Sequence, residues 1–496
     1  MSSEQTANAD VLLELGLLVD SHGLERNSDG PFAWCPRRFR LSAPPGAKFM
    51  RLAFAYLAPA GSLTVEQDGN LVERTALRHG WQQALLRLPA GAGWLDMTVD
   101  PVPSVEGDPR ELGLMLRSAS FFDDEAKYAR TKTVLANALL NDEEFRIGAA
   151  VLSSRPPNLR ISTETRCNIP ETSQACTYCP WDKVKEMEKG SSPFRLETLD
   201  ELGDFYRDAA VLNDCSVGEP TMNRYFGDIL LRFHRDEKPF SFTTNGQLLV
   251  EKRRRELLGR DITVYVSLDS ASKEGFRRYR NDRFAPIIRN LRALCREKRA
   301  YGGLPKVYVS IIAMRSNVDE LDQYLDLMKE IGVDEVKFRS LIVEDDPPPA
   351  MQNNGFLFDY VNETLSIQEL RELSPIIQRM ADFRDVKVYM EWEEFERPQD
   401  HLEGEPLCAE PWKTLYVLNR GIMPCAYGMR ALANWDQQGN RTLDDFLRDV
   451  FNSDQYQEIR TELAAGRLPG YCRESLGCPV LKRMSPAMAI RSKPAS

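Results

Sequence analysis

From about residue 158 the chain repeats one rhythm: a short apolar run, then a longer segment whose apolar positions recur every three or four residues. The short runs are LRIST (159–163), DCSV (214–217), FSFTT (240–244), ITVYVSLD (262–269), KVYVSIIA (306–313) and DEVKFRS (334–340). Between them, LETLDELGDFYRDAA sets Leu199, Leu202, Phe205, Tyr206 and Ala209 on one helical face, and FGDILLRFHRD, APIIRNLRALCREKRA and NVDELDQYLDLMKEIG repeat the pattern. Strands alternating with amphipathic helices predict a parallel sheet covered by helices. Six such units predict an α/β fold with a partial (β/α)6 barrel, whose active face lies at the C-terminal strand ends.

The first 150 residues read differently. FMRLAFAYLA, SLTVEQDG, ALLRLPA and WLDMTVDPV are short, rich in aliphatic and aromatic residues, and separated by turn formers. They predict an N-terminal, β-sandwich-like domain over residues 1–150, suited to docking, dimerisation or carbohydrate recognition. Three consecutive prolines in VEDDPPPAMQNNG (343–355) end the barrel at about residue 342, since proline continues neither a helix nor a central strand. One more helix (367–384) and a strand, VKVYME, fill 343–400, and a small cysteine-bearing domain occupies 401–496.

Composition narrows the function. At 42% apolar and 28% charged residues, the 496-residue chain is ordinary for a soluble globular protein. A net charge of −10 argues against nucleic acid or anionic membrane as a partner. No run approaches the roughly 20 apolar residues of a membrane span, and the polar start MSSEQTANAD has no secretory pattern. A cytoplasmic location is expected. The ten cysteines fall in clusters, which favours metal binding over disulfides.

Cys167, Cys176 and Cys179, in RCNIPETSQACTYCPW, follow the first strand and therefore stand at the active face. Three thiolates leave one coordination position of a zinc ion or a cubane cluster open, as a reactive site requires. Cys408, Cys425, Cys472 and Cys478 supply four, enough to close one [4Fe–4S] cluster or one zinc site. Cys215, at the second strand's end, is either a small buried hydrophobe or a hydrogen-atom donor. Cys295 reads as core. Arg315 and Arg339, near strand ends, are candidate clamps for an anion, or simply solvated.

Taken together, these segments resemble radical S-adenosylmethionine (SAM) enzymes, over about residues 158–485. The cysteine trio resembles the family's cluster loop, although its first gap is eight residues instead of the usual three. SVGEP (216–220) resembles the Gly-Gly-Glu-Pro motif that holds the methionine amino group, with Val217 in place of the first glycine. TTNG (243–246), VSLDS (266–270) and FRRYRNDRFAPIIRNLRAL (276–294) follow in the family's order. The resemblance implies a radical SAM barrel that binds a [4Fe–4S] cluster through Cys167, Cys176 and Cys179. Around it, Tyr178, Gly218, Glu219, Asn245, Ser267 and Asp269 bind S-adenosylmethionine. The tail resembles a twitch or SPASM auxiliary domain, implying one auxiliary [4Fe–4S] cluster on Cys408, Cys425, Cys472 and Cys478. The implied activity is an oxidoreductase or isomerase that makes a 5′-deoxyadenosyl radical and takes hydrogen from a small-molecule substrate, carbohydrate or cyclitol. A peptide-modifying maturase is the alternative enzyme, and a zinc-holding scaffold the alternative outside enzymes. An electron donor such as flavodoxin or ferredoxin is the implied partner.

Overall fold

The computed structural model describes residues 5–481 apart from 28–29, 92, 104, 106, 173–175, 180–193, 342–349, 396–404, 420, 429, 476–477 and 479. It divides into two compact units, Met1–Ala136 and Asn137–Ser496.

The first unit is a nine-stranded antiparallel sheet organised on one long strand, Phe49–Gln67. That strand pairs with Asn70–Arg87 along its length, with Leu114–Phe122 at its start and with Trp94–Asp100 at its end. FMRLAFAYLA and SLTVEQDG are thus one strand, and its register shifts between Tyr56 and Ala60. Pro59, which has no N–H to give a ladder, lies inside that irregularity. Leu52 and Phe54 from one end share a core with Val65 from the other and with Met97, its partner on Trp94–Asp100. The helix Glu125–Arg146 carries the chain into the second unit. The apolar pattern does not mark it, but its Ala, Leu, Lys and Glu favour helix on propensity alone.

The second unit contains all six expected strands: β1 (Asn158–Ile161), β2 (Val211–Asp214), β3 (Phe240–Thr244), β4 (Ile262–Ser267), β5 (Lys306–Ala313) and β6 (Glu335–Ser340). Three more come from the C-terminal part: β7 (Val388–Met390), β8 (Thr414–Leu418) and β9 (Gly421–Met423). The sheet order is β7-β6-β5-β4-β3-β2-β1-β8-β9, parallel except for the last pair. The region after the barrel therefore extends the barrel sheet at both edges.

Alternation along the strands separates two faces. Val264 and Val266 of β4 lie in the core with Ile229 and Phe233 of the helix Phe226–Arg235 and Leu291 of Phe284–Glu297. Thr263, Tyr265 and Ser267 face the opposite, concave side and are only half buried. The expected helix over 196–210 is broken into Leu196–Glu201 and Gly203–Asp208. Gly203 turns the chain with φ +52°, and the Asp204 amide beyond it donates to Asp444 Oδ1 at 2.9 Å. Of the proline-rich break, 342–349 lie outside the described residues. After it, Met351–Asn353 and Phe356–Phe358 form a hairpin whose Asn353 amide donates to the Arg278 carbonyl at 2.9 Å. The helix Ile367–Arg384 is where the pattern put it.

Candidate active site

The loops after β1 to β5 meet at one end of the sheet, and the cysteine trio enters it in two arms. The first arm carries Cys167. Its backbone is stitched to the loop after β2: the Glu219 amide donates to the Arg166 carbonyl at 2.7 Å, and the Thr163 and Glu164 amides donate to Ser216 Oγ at 2.7 and 2.9 Å. Gly218 is required by this contact, because a Cβ there would lie 2.5 Å from Arg166 O and 2.6 Å from Glu164 O. Gly218 thus allows a close approach between two stretches of the chain's own backbone.

Glu219 is buried beneath Cys167. Its Oε1 accepts from the Thr221 amide at 3.2 Å, from the Thr221 hydroxyl, and from Thr244 Oγ1 at 2.7 Å. Its Oε2 accepts the Asn245 amide at 2.7 Å, leaving acceptor capacity on that oxygen. Burial pushes the Glu219 pKa up, opposed by these donors. Asn245 then links the pieces: its side-chain Nδ2 lies 2.8 Å from Asn168 Oδ1 and 3.9 Å from Cys167 Sγ. Asn245 thus bridges Glu219 and the first cysteine.

The second arm carries Cys176, Tyr178 and Cys179, and it rests on charge. The Thr177 amide donates to the Tyr279 carbonyl at 3.0 Å. The Tyr178 hydroxyl donates to Asp269 Oδ2, and Arg280 Nε donates to the same oxygen at 2.7 Å. Asp269 Oδ1 accepts the Ile312 amide at 3.2 Å, so both oxygens of this buried carboxylate have protein partners. Arg280 Nη1 points on to Cys176 Sγ at 3.9 Å. Phe358 of the hairpin packs beside Tyr178, with ring centroids 6.3 Å apart. Ser267, on the same strand face as Asp269, is half buried.

Arg280 and Thr244 were missed as individuals by sequence reading. Both lie inside quoted segments, but nothing in those segments marks which arginine or threonine turns inward. Arg315 and Arg339 are committed elsewhere. Arg315 forks onto Glu369 at 2.6 and 3.1 Å, and Arg339 meets Glu391 at 3.4 Å. Cys295 and Cys35 are buried core residues.

The donor set suits thiolate ligation at the first site, since an amide and a guanidinium each point at a sulfur. Burial pushes the Cys167 thiol up to about 11 and raises Cys176, with Arg280 opposing at both. Without metal these are thiols, and a metal must displace their protons. In the tail, Cys408 precedes Glu410–Lys413, Cys425 follows β9 and Cys472 lies on Gly470–Arg473. Burial raises Cys408 and takes Cys425 and Cys472 to about 12, while Cys408, Cys425, Cys472 and Cys478 sense one another electrostatically. Among the described residues no three His, Cys, Asp or Glu side chains gather at single-ion spacing.

Residues 169–328 match the family model of the Radical SAM superfamily. A curated relative, the probable GTP 3′,8-cyclase of Sulfurisphaera tokodaii, is 24% identical over 234 residues, 46% of this chain. The chain spans 66% of that relative's length. Solved structures that resemble it include Streptococcus suis SuiB bound to S-adenosylmethionine, at 15% identity and TM-score 0.47, covering 66% of this chain and 72% of that one. Another is anSMEcpe with bound AdoMet and a peptide, at 16% identity and TM-score 0.45, covering 64% and 85%. No helix among the described residues is long and apolar enough to cross a membrane.

Proposed function

We propose, from the match of residues 169–328 to the Radical SAM superfamily model, that the protein cleaves S-adenosylmethionine reductively and takes a hydrogen atom from a polar substrate of the carbohydrate or cyclitol class. One observation carries this reading: Asn245 ties Glu219 to Cys167 while Arg280 ties Asp269 to Cys176, so the carboxylates and cysteines of one mouth are held as a unit. Cys167, Cys176 and Cys179 would hold a [4Fe–4S] cluster, which when bound would supply the electron for reductive cleavage of S-adenosylmethionine. Glu219 Oε2 is the acceptor for the methionine ammonium, a charge-assisted contact. Ser267 offers a hydroxyl to the ribose. Asp269 serves through Tyr178 and Arg280, positioning the second arm. Cys408, Cys425, Cys472 and Cys478 hold one auxiliary [4Fe–4S] cluster, and a flavodoxin- or ferredoxin-type protein delivers electrons.

The concave face supports a hydroxyl-rich substrate. Ser241 Oγ donates to Asn213 Oδ1 at 2.6 Å, and Tyr265 and Tyr308 stand edge to face with centroids 5.4 Å apart. Cys215 lies on the same face, where burial raises its pKa and keeps it a thiol at neutral pH. Its S–H hydrogen atom can pass to a substrate carbon radical, giving a new C–H bond and a thiyl that an electron and a proton from the external reductant restore.

Reconstituted protein with dithionite and S-adenosylmethionine is expected to release 5′-deoxyadenosine, and Cys176→Ala to release almost none. Equal release from both chains, or a purified protein carrying zinc and no labile sulfide, overturns the reading.

A further inference from the structure

Several partly or fully buried arginines of the second unit are paired with carboxylates. Arg155 reaches Asp204 at 2.6 Å, Arg254 reaches Glu297 at 2.9 Å and Arg280 reaches Asp269 at 2.7 Å. Arg160 does not. It is the third residue of β1, and its neighbours Leu159 and Ile161 are in the helix-covered core, so its side chain stands on the concave face. It forms no ion pair among the described residues, and its buried Nε has no acceptor. Its guanidinium lies 5.3 Å from the ring centre of Tyr416 on β8, and its Nη1 is 4.0 Å from Cys215 Sγ. The nearby carboxylate of Glu410 is held by the Tyr416 hydroxyl at 3.0 Å.

Withdrawing a charge from water without an ion-pair partner is costly, and Arg160 is half buried with no carboxylate paired to it among the described residues. Guanidinium donors suit carboxylate and phosphate oxygens, which they bind bidentately. We propose that Arg160 is the anchor for a carboxylate or phosphate group on the substrate, set in the barrel beside Cys215. The inference rests on the radical SAM reading and narrows its substrate to an acid or a phosphate ester. An oxyanion held at Arg160 brings the substrate's carbon frame to the thiol at 4.0 Å from the same guanidinium. Tyr416 covers one side of that cation with its ring.

The test uses the full chain and two probes, inorganic phosphate and succinate, with chloride at matched ionic strength as reference. Each probe's half-effect concentration is read from the thermal midpoint. At least one probe is expected to raise the midpoint saturably, and Arg160→Gln to weaken that response roughly tenfold or more, as loss of a charge-assisted hydrogen bond implies. Arg160→Lys retains part of it. Response to phosphate alone assigns a phosphate ester, and to succinate alone a carboxylic acid. Without added anion, Arg160→Gln is expected to be at least as stable as the parent, because an uncompensated charge has gone. Equal anion responses in the parent and Arg160→Gln, or a less stable anion-free variant, overturn the inference. Deoxyadenosine release by the parent protein is scored separately. Release without an anion response sinks only the Arg160 anchor; an anion response without release sinks the radical reading alone.

Discussion

The two arms of the cysteine loop reach the same site by different physics. The Cys167 arm is held by backbone and neutral donors: the Arg166 carbonyl receives the Glu219 amide, Ser216 caps two amides, and the sulfur faces the amide of Asn245. The Cys176 arm is held by a buried ion pair, Asp269–Arg280, with the Tyr178 hydroxyl on the same carboxylate and the guanidinium facing the sulfur. Each arm has its own anchor on a different set of strand ends. That independence is consistent in physical terms with the eight-residue gap between Cys167 and Cys176, which departs from the three-residue spacing of the resembled family. When both ends are fixed, extra residues between them lengthen a loop at small entropic cost and leave the sulfurs in place.

The sharpest way to separate the arms is to remove the charge from one. Arg280→Met leaves Asp269 buried with only neutral donors, and breaking such a pair from one side costs about 3–5 kcal/mol. Urea unfolding of the reconstituted protein is expected to show a loss in that range, together with reduced iron content, since the second arm loses its hold. Arg315→Met removes an equally short contact to Glu369, but its partners are 54% and 38% exposed. Its expected cost is about 0–1 kcal/mol. Similar losses from the two substitutions would mean that the second arm does not depend on buried charge.

The arms also differ in how far the sequence disclosed them. All six barrel strands and the positions of the three cysteines after β1 follow from the alternation of apolar runs with amphipathic helices, because a parallel sheet writes its buried face into every strand. The Glu219 and Asn245 positions followed from short motifs at strand ends. Arg280 did not, because FRRYRND offers three arginines and which one turns inward is decided by Asp269, eleven positions upstream. Likewise Arg160 sits in an unexceptional strand, and its lack of an ion pair among the described residues is visible only in the folded chain. The long strand Phe49–Gln67 was read as two because a proline interrupts it, and only the ladder of its partners shows that it continues.

A smaller effect is expected on the first arm. Gly218→Ala brings a methyl within 2.5 and 2.6 Å of two backbone carbonyl oxygens that belong to the loop before Cys167. Backbone cannot step aside as a long side chain does, so overpacking is expected to cost about 2–3 kcal/mol in urea unfolding. A cost near zero would show that the loop before Cys167 moves freely, contrary to the picture of a stitched arm.

The mildest perturbation is pH, and it too should act on the first arm. Asp214 lies under Thr163 and Ser216, and burial raises its pKa to about 6, opposed by donors from both residues. A carboxyl whose pKa is higher folded than unfolded binds its proton more tightly in the native state. Its contribution is therefore full below the unfolded value near 4 and is lost as pH rises through about 6. Asp214→Asn removes the titration. Relative to the parent, this variant is expected to gain on the order of 1–2 kcal/mol between pH 4 and pH 7. A difference between parent and Asp214→Asn that stays constant across this range would place the charge outside the folding balance of the first arm.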